Sequence, residues 1–257
     1  MSEKQVYIDN LKVNYKIAGQ GQPILILHGW GGSSDSWLRV SKILVKQGYK
    51  IVIPDFPGFG RSITPKTVWD IKDFAKWVNE LTNSLGLEKF FLLGHSFGGR
   101  VAIKFAVNYP KKIKSLILCA SAGIKPKSGL KTRVIFRLAK IGNAVFTPRI
   151  LTRFKDGARN LFYIFLRHRD YVKADGTMKE TIKKVLEEDL LPDLSKIKIK
   201  SLIIWGKNDK LVPVKYAYIF KEKIKNSKLK ILPKIGHSPH LEVPKKLSKL
   251  VLDFFEL

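Results

Sequence analysis

The segment Gly94-His95-Ser96-Phe97-Gly98 constrains the fold of this chain more than any other feature. It follows an apolar stretch, Phe90–Leu93, that is typical of a buried strand, and it precedes Gly99–Tyr109, which has helical spacing. Glycines on both sides of one serine allow a cramped turn from strand to helix, and such a turn pushes the serine out of the sheet at a strained backbone angle. This context predicts that Ser96 is a nucleophile, and the alternative is a serine that only caps the helix.

Strand-like and helix-like segments alternate along most of the 257 residues. The predicted strands are Val6–Ile8, Leu11–Ile17, Ile24–Leu27, Lys50–Ile53, Phe90–Leu93, Ser115–Cys119, Ser201–Trp205 and Leu229–Leu232. The predicted helices are Ser36–Gln47, Val68–Leu85, Gly99–Tyr109, Val214–Lys225 and Val243–Phe255. This alternation predicts an α/β fold, with a mostly parallel eight-stranded sheet covered by helices on both faces. The first two strands are predicted to form an antiparallel pair.

The alternation stops after Ser121 and returns near residue 199. We therefore expect a core domain made of residues 1–121 and 199–257, and a helical cap inserted at 122–198. The length of the chain suits one large α/β domain with such an insertion.

A serine hydroxyl needs a base to take its proton, and the base needs a carboxylate to orient it. His237 is the best candidate for the base, because it lies in a glycine- and proline-bounded loop after the last predicted strand. Asp209 is the candidate acid, since it follows Ser201–Trp205 in a turn, and its alternative role is only to form that turn. The other histidines are weaker candidates: His28 as a structural residue, His95 beside the nucleophile and pointing away, His168 in the insertion, and His240 at the start of the final helical region.

A negatively charged oxygen that forms during attack on a carbonyl needs two N–H donors. The backbone of Phe97, the residue after the nucleophile, should supply one. The loop after Ile24–Leu27 should supply the other, and we assign it to Trp30. The Trp30 indole either lines a substrate pocket or packs under the cap.

Together these residues resemble the α/β-hydrolase superfamily, and in particular its single-domain serine esterases with a helical cap. The similar segments are His28-Gly29-Trp30, Asp55 to Ser62, Gly94 to Gly98, Trp205 to Asp209 and Gly236 to Glu242. The resemblance implies ester hydrolysis by Ser96, with no metal or organic cofactor, and a structural role for Asp55. It argues against the dehalogenases and epoxide hydrolases of the superfamily, whose nucleophile is an aspartate.

Three alternatives to a simple ester hydrolase stay open. Hydrolases of ring-cleavage products, which cut a carbon–carbon bond, are similar around Gly58, although many have tryptophan where this chain has Ser238. The esterase that demethylates an acyl-carrier protein ester is similar in having a basic cap. Outside enzymes, the scaffold also serves as a binding protein.

The net charge of +27 comes from 48 Lys and Arg against 21 Asp and Glu. Because the lysines are spread from Lys4 to Lys249 without a compact basic motif, we expect solvated faces and no nucleic-acid partner. The single cysteine excludes an internal disulfide, and the N-terminus lacks a secretory pattern. A cytoplasmic protein is therefore expected.

Arginine is less evenly spread, because seven of the ten arginines fall between Arg133 and Arg169. This cluster is interpreted as a solvated cap face, as a site for an acidic substrate or carrier protein, or as a surface that docks on anionic membranes. The aromatic residues of the same segment, among them Phe136, Phe162 and Phe165, either line an acyl pocket or form the core of the cap.

Overall fold

The structure is a computed structural model that describes residues 1–125 and 176–256. Within these residues one sheet has eight strands, in the order β1-β2-β4-β3-β5-β6-β7-β8. The strands are β1 Ser2–Ile8, β2 Leu11–Ala18, β3 Pro23–Leu27, β4 Lys50–Pro54, β5 Phe90–His95, β6 Ile113–Cys119, β7 Ser201–Gly206 and β8 Ser227–Leu232. Strands β3 to β8 are parallel, while β2 is antiparallel to both of its neighbours. The predicted α/β fold and its opening antiparallel pair are confirmed.

Helices connect the parallel strands and cover both faces of the sheet. Those of the described chain are α1 Leu38–Lys46, α2 Ile71–Ser84, α3 Phe97–Asn108, α4 Gly176–Glu187, α5 Leu191–Leu194, α6 Lys215–Lys223, α7 Pro239–Glu242 and α8 Pro244–Phe255, with 3₁₀ turns at Ser34–Trp37 and Pro110–Lys112. The fold therefore places the carboxyl ends of six parallel strands at one edge, where functional groups gather in sheets of this kind.

All five predicted helix starts differ from the observed ones by one to three residues, and two of these differences have clear local reasons. Helix α2 begins at Ile71 rather than Val68, because the Asp70 carboxylate accepts the backbone N–H of Lys72 at 2.8 Å and of Asp73 at 3.0 Å. The Asp73 carboxylate in turn accepts the N–H of Asp70, which completes a capping box. Helix α8 begins at Pro244, a residue that suits the first turn because it has no N–H to leave unpaired.

The buried side chains form two clusters, one on each face of the sheet. Along β3, Leu25 and Leu27 join the cluster that contacts α2, α3, α4 and α6, while Ile24 and Ile26 join the cluster that contacts α1 and α8. Side chains of a strand alternate between its faces, so a strand covered by helices on both sides is apolar throughout. This double burial explains why β3 appears in the sequence as a continuous apolar run.

The chain on both sides of residues 126–175 is tied to the core. The N–H of Leu190 donates to the carbonyl of Gly123 at 2.8 Å, and the Arg100 guanidinium donates to the carbonyl of Val185 at 2.6 Å. Lys104 pairs with Asp193 at 2.5 Å. The assignment of 122–198 to a cap stays a prediction. No helix within residues 1–125 and 176–256 combines the length and apolar character needed to cross a membrane.

Candidate active site

Ser96 stands on the sharp turn between β5 and α3. Its backbone has φ 52° and ψ −113°, a conformation that side-chain-bearing residues rarely adopt. A Cβ on Gly94 would lie 2.5 Å from the carbonyl oxygen of Gly98, and one on Gly98 would lie 2.3 Å from that of Leu27. Both positions therefore require glycine, and the turn exists because its backbone packs directly on itself and on β3.

The structure brings Ser96, His237 and Asp209 into one hydrogen-bonded chain. The Ser96 Oγ lies 3.0 Å from His237 Nε2, and His237 Nδ1 lies 2.8 Å from Asp209 Oδ2. Because a carboxylate only accepts, Nδ1 carries the proton and Nε2 is left to accept the serine hydroxyl. Ser96 follows β5, Asp209 follows β7 and His237 follows β8, so three separate strand ends supply the three groups. This arrangement can deprotonate a serine as it attacks an electrophile.

Asp209 is buried and held by its own turn. Its second oxygen, Oδ1, accepts the backbone N–H groups of Leu211 and Val212, each at 2.9 Å. A Cβ on Gly206 would lie 2.1 Å from the carbonyl oxygen of Gly236, so only glycine lets the end of β7 lie this close to the histidine loop. Close approach of these two loops places the carboxylate within bonding distance of His237.

The backbone around His237 is fixed by two side chains that the sequence analysis did not single out for this role. The Glu242 carboxylate accepts the N–H of Gly236 at 2.8 Å and the N–H of Ser238 at 3.1 Å. His95 Nε2 donates to the carbonyl of His237 at 2.9 Å. The peptide group that follows His237 is therefore anchored at both its carbonyl and its N–H, and the N–H of the preceding residue, Gly236, is held as well.

His95 and His240 are buried near the hydrogen-bonded series of Ser96, His237 and Asp209 but are not part of it. The His95 ring lies 5.0 Å from that of His237 between centroids, and its pointing away from Ser96 stays a prediction. His240 stacks on Trp37 with a centroid distance of 4.4 Å. Burial and the neighbouring imidazoles hold the pKa of His95 well below its ordinary value, and burial lowers the pKa of His240 to about 3. Both rings are neutral near pH 7. His168 lies outside the described residues.

The two expected oxyanion donors are close to Ser96, since Phe97 follows it directly in the turn and a Cβ on Gly29, next to Trp30, would lie 3.4 Å from the Cβ of Ser96. The N–H groups of Trp30 and Phe97 have no acceptor among the residues that the structure describes. The Trp30 indole is half-buried and meets the rings of Phe59 and Phe97 edge-on, at 4.7 and 5.1 Å between centroids. Within the described residues both backbone donors are thus unpaired, and the indole lies beside the turn.

Asp55 organises the loop that follows β4. It is fully buried and accepts N–H groups from Ser34 at 2.6 Å and Arg61 at 3.0 Å, together with the side-chain amide of Asn14 at 2.9 Å. Burial alone would raise the pKa of this carboxyl, but the donated bonds outweigh it and hold the pKa below its ordinary value. A Cβ on Gly60 would lie 2.4 Å from this carboxylate. Asp55 is structural in this arrangement, as the sequence analysis expected.

The predicted substrate-pocket residues Phe136, Phe162 and Phe165 lie outside the described residues, as does the arginine cluster between Arg133 and Arg169. Within residues 1–125 and 176–256, no group of three or more His, Cys, Asp or Glu side chains is placed to hold a metal ion.

Comparison with known proteins connects this geometry to a family. The family model described as the alpha/beta hydrolase fold matches residues 22–145 and 149–244. A 2-hydroxy-6-oxo-6-phenylhexa-2,4-dienoate hydrolase from Burkholderia cepacia is 27% identical over 96% of this chain and 92% of its own. Monoacylglycerol lipase ABHD6 from Rattus norvegicus is 29% identical over 92% of this chain and 76% of its own. The structure of an esterase from Exiguobacterium antarcticum has a TM-score of 0.76, is 26% identical and covers 98% of each chain.

Proposed function

This chain belongs to the α/β-hydrolase fold family, is a hydrolase, and, we propose, cleaves carboxylic esters through an acyl-enzyme intermediate on Ser96. The observation that carries the proposal is the hydrogen-bonded chain at Ser96, with 3.0 Å from Oγ to His237 Nε2 and 2.8 Å from Nδ1 to Asp209. The Ser96 side chain makes no capping hydrogen bond to the helix that follows, which leaves its hydroxyl available to a substrate.

Acylation proceeds in two linked proton movements. The Ser96 Oγ attacks the ester carbonyl carbon while its proton moves to His237 Nε2, and the imidazolium that forms is stabilised by Asp209. The carbonyl oxygen becomes an oxyanion, which the N–H groups of Trp30 and Phe97 bind. Collapse of this intermediate breaks the ester C–O bond, and His237 gives its proton to the leaving alcohol.

Deacylation repeats these steps with water. His237 takes a proton from a water molecule, whose oxygen attacks the acyl carbon, and the same two N–H groups bind the second oxyanion. Breaking the bond to Ser96 releases the carboxylic acid and returns the proton to Oγ. No atom from outside the ester, water and this chain is needed.

A second candidate function is hydrolysis of a carbon–carbon bond in a 2-hydroxy-6-oxo-dienoate. The observation in its favour is the similarity to the hydrolase from Burkholderia cepacia, which spans nearly the whole chain. Both functions would use Ser96 and the residues around it, but they differ in the leaving group. Ester hydrolysis releases an alcohol, and carbon–carbon bond hydrolysis releases a carbon acid. Recognition of an acidic carrier protein or an anionic membrane by the arginine cluster stays a prediction.

Two substrate series separate these functions. Turnover should be measured on p-nitrophenyl esters of increasing acyl length and on 2-hydroxy-6-oxo-6-phenylhexa-2,4-dienoate, for the wild type, Ser96→Ala and Ser84→Ala. Ser84 is an exposed serine at the end of α2 and serves as the matched control. We expect ester turnover that Ser84→Ala keeps and Ser96→Ala reduces by several orders of magnitude. Turnover of the dienoate with no ester turnover would assign the second function.

A further inference from the structure

The peptide group between Gly29 and Trp30 is held in one orientation by its carbonyl. The Gly29 oxygen accepts a hydrogen bond from His28 Nδ1 at 2.7 Å and another from the N–H of Gly32 at 3.0 Å. A peptide group is planar and trans, so its N–H points opposite to its C=O. Anchoring the Gly29 carbonyl therefore also fixes the direction of the Trp30 N–H.

The His28 ring is itself locked by the loop that follows β4. Its Nε2 accepts the backbone N–H of Phe56 at 3.0 Å, which leaves Nδ1 as the nitrogen that carries the proton. The rings of Phe56 and Phe59 pack edge-on against it at 5.0 and 6.0 Å, and the side chain is fully buried. Burial lowers the pKa of His28, so the ring is neutral near pH 7 and Nε2 can keep accepting.

This anchored peptide lies directly against the nucleophile. A Cβ built on Gly29 would lie 3.4 Å from the Cβ of Ser96 and 3.0 Å from Nδ1 of His95. If the peptide rotated by half a turn, its carbonyl oxygen would replace the N–H, and a lone pair would face the developing oxyanion. The orientation of this one peptide thus decides whether the site attracts or repels negative charge.

We propose that His28 is a positioning residue for catalysis, which aims the Trp30 N–H at the oxyanion by holding the Gly29 carbonyl on the opposite side. The inference rests on the proposed function of Ser96. The bond from Nδ1 also polarises the peptide, because hydrogen bonds in a chain strengthen one another, and this makes the Trp30 N–H a stronger donor. A purely structural His28 would stabilise the fold without any preference for the transition state.

Two substitutions separate the two nitrogens of His28. In His28→Asn the side-chain amide can take the place of Nδ1 and donate to Gly29, whereas in His28→Gln it can take the place of Nε2 and accept from Phe56. We expect His28→Gln to lower kcat by about 10- to 100-fold, since loss of one oxyanion donor costs about 100- to 1000-fold and the Phe97 donor is kept. KM should change little, and affinity for a trifluoromethyl ketone, which forms an oxyanion on Ser96, should fall by the same factor. His28→Asn should recover most of the lost kcat.

The results for the His28 variants can be distinguished from a failure of the proposed function of Ser96. If Ser96→Ala keeps wild-type ester turnover, the proposed function is wrong. If Ser96→Ala is inactive but His28→Gln has wild-type kcat and ketone affinity, only the role of His28 is overturned. Equal losses in His28→Asn and His28→Gln that follow the loss of folded protein, measured by thermal unfolding, would also overturn it.

A measurement on the wild type keeps the proposal testable if neither variant folds. Nitrogen-15 spectra of histidine-labelled protein should show His28 protonated at Nδ1 and unprotonated at Nε2. The Trp30 amide proton should move downfield when the trifluoromethyl ketone binds. A His28 ring protonated at Nε2 instead, or a Trp30 amide that does not respond, would contradict the proposal.

Discussion

The turn that carries Ser96 and the loop that carries His237 lie at the same edge of the sheet but are held by different forces. Backbone contacts hold the turn, since Gly94 and Gly98 leave no space for a Cβ. Side-chain hydrogen bonds hold the loop, because Glu242 binds two of its N–H groups and His95 binds the carbonyl of His237. The turn therefore depends mainly on close backbone packing, whereas the loop depends on side-chain hydrogen bonds in addition to its close approach to Gly206.

This difference determines how a substitution should affect the Ser96 turn and the His237 loop. A steric fit between backbone atoms has no partly satisfied state, so a single added methyl group must displace β3 or α3. A network of hydrogen bonds can lose one member and keep the rest, so its loss should be graded. The variants below test this contrast, and the free-energy effects expected near pH 7 decrease from one to the next.

Asp209→Asn should have the largest effect on activity. The amide cannot accept the Nδ1 proton in the same way, which favours the wrong tautomer of His237, and kcat should fall by up to about 10⁴-fold. Steady-state kinetics on a short p-nitrophenyl ester measures this fall, and Asp253→Asn on the exposed side of α8 is the control. Near-normal kcat in Asp209→Asn would mean that another carboxylate orients the base.

Gly98→Ala should break the Ser96 turn as a unit. The new methyl group would lie within 2.3 to 2.5 Å of the carbonyl oxygens of Leu27 and His28, so unfolding free energy should fall by about 4 kcal/mol or more. Gly86→Ala is the control, because Gly86 has φ 63° but open space around it, and its loss should be about 1 kcal/mol. Thermal unfolding compares them, and equal shifts in the two variants would contradict the steric account.

Glu242→Gln should weaken the His237 loop without unfolding it. An amide has one oxygen where the carboxylate has two, so one of the N–H groups of Gly236 and Ser238 loses its acceptor. We expect kcat to fall about tenfold, roughly 1.4 kcal/mol, with the melting temperature nearly unchanged. Glu222→Gln, at an exposed position of helix α6, should change neither. If the kinetics of Glu242→Gln match those of the control, the carboxylate does not position the base.

Near pH 7 the smallest effect comes from His240, whose ring makes stability depend on pH only in acid. Its pKa is about 3 in the folded protein and about 6.5 when unfolded, so only the unfolded state takes up a proton between these values. Stability from this group is complete above about pH 6.5 and is lost as pH falls toward 3, by about 1.4 kcal/mol per pH unit. His240→Phe keeps a ring to stack on Trp37 and should flatten the acid side of a plot of melting temperature against pH. An unchanged slope would show that His240 does not titrate in this way.

The sequence predicted the three residues of the hydrogen-bonded chain better than the contacts that hold the His237 loop in place. Ser96 could be placed because its strand, glycines and helix are contiguous, and Asp209 and His237 because each follows a strand in the order typical of the fold. The bonds of Glu242 and His95 to the histidine loop depend on how α7 and β5 pack around it. No pattern along the sequence indicates that these two side chains lie within hydrogen-bonding distance of the loop. Helix α2 begins three residues later than predicted for a different, local reason, because Asp70 and Asp73 form its cap.

The central claim is that Ser96 is the nucleophile of a serine hydrolase. The most direct test is to react the wild type, Ser96→Ala and Ser84→Ala with a fluorophosphonate and to locate the adduct by mass spectrometry of peptides. We predict one adduct, on Ser96, in the wild type and in Ser84→Ala, with none in Ser96→Ala, and loss of ester turnover in proportion to labelling. An adduct on a different serine, together with an active Ser96→Ala enzyme, would contradict the account.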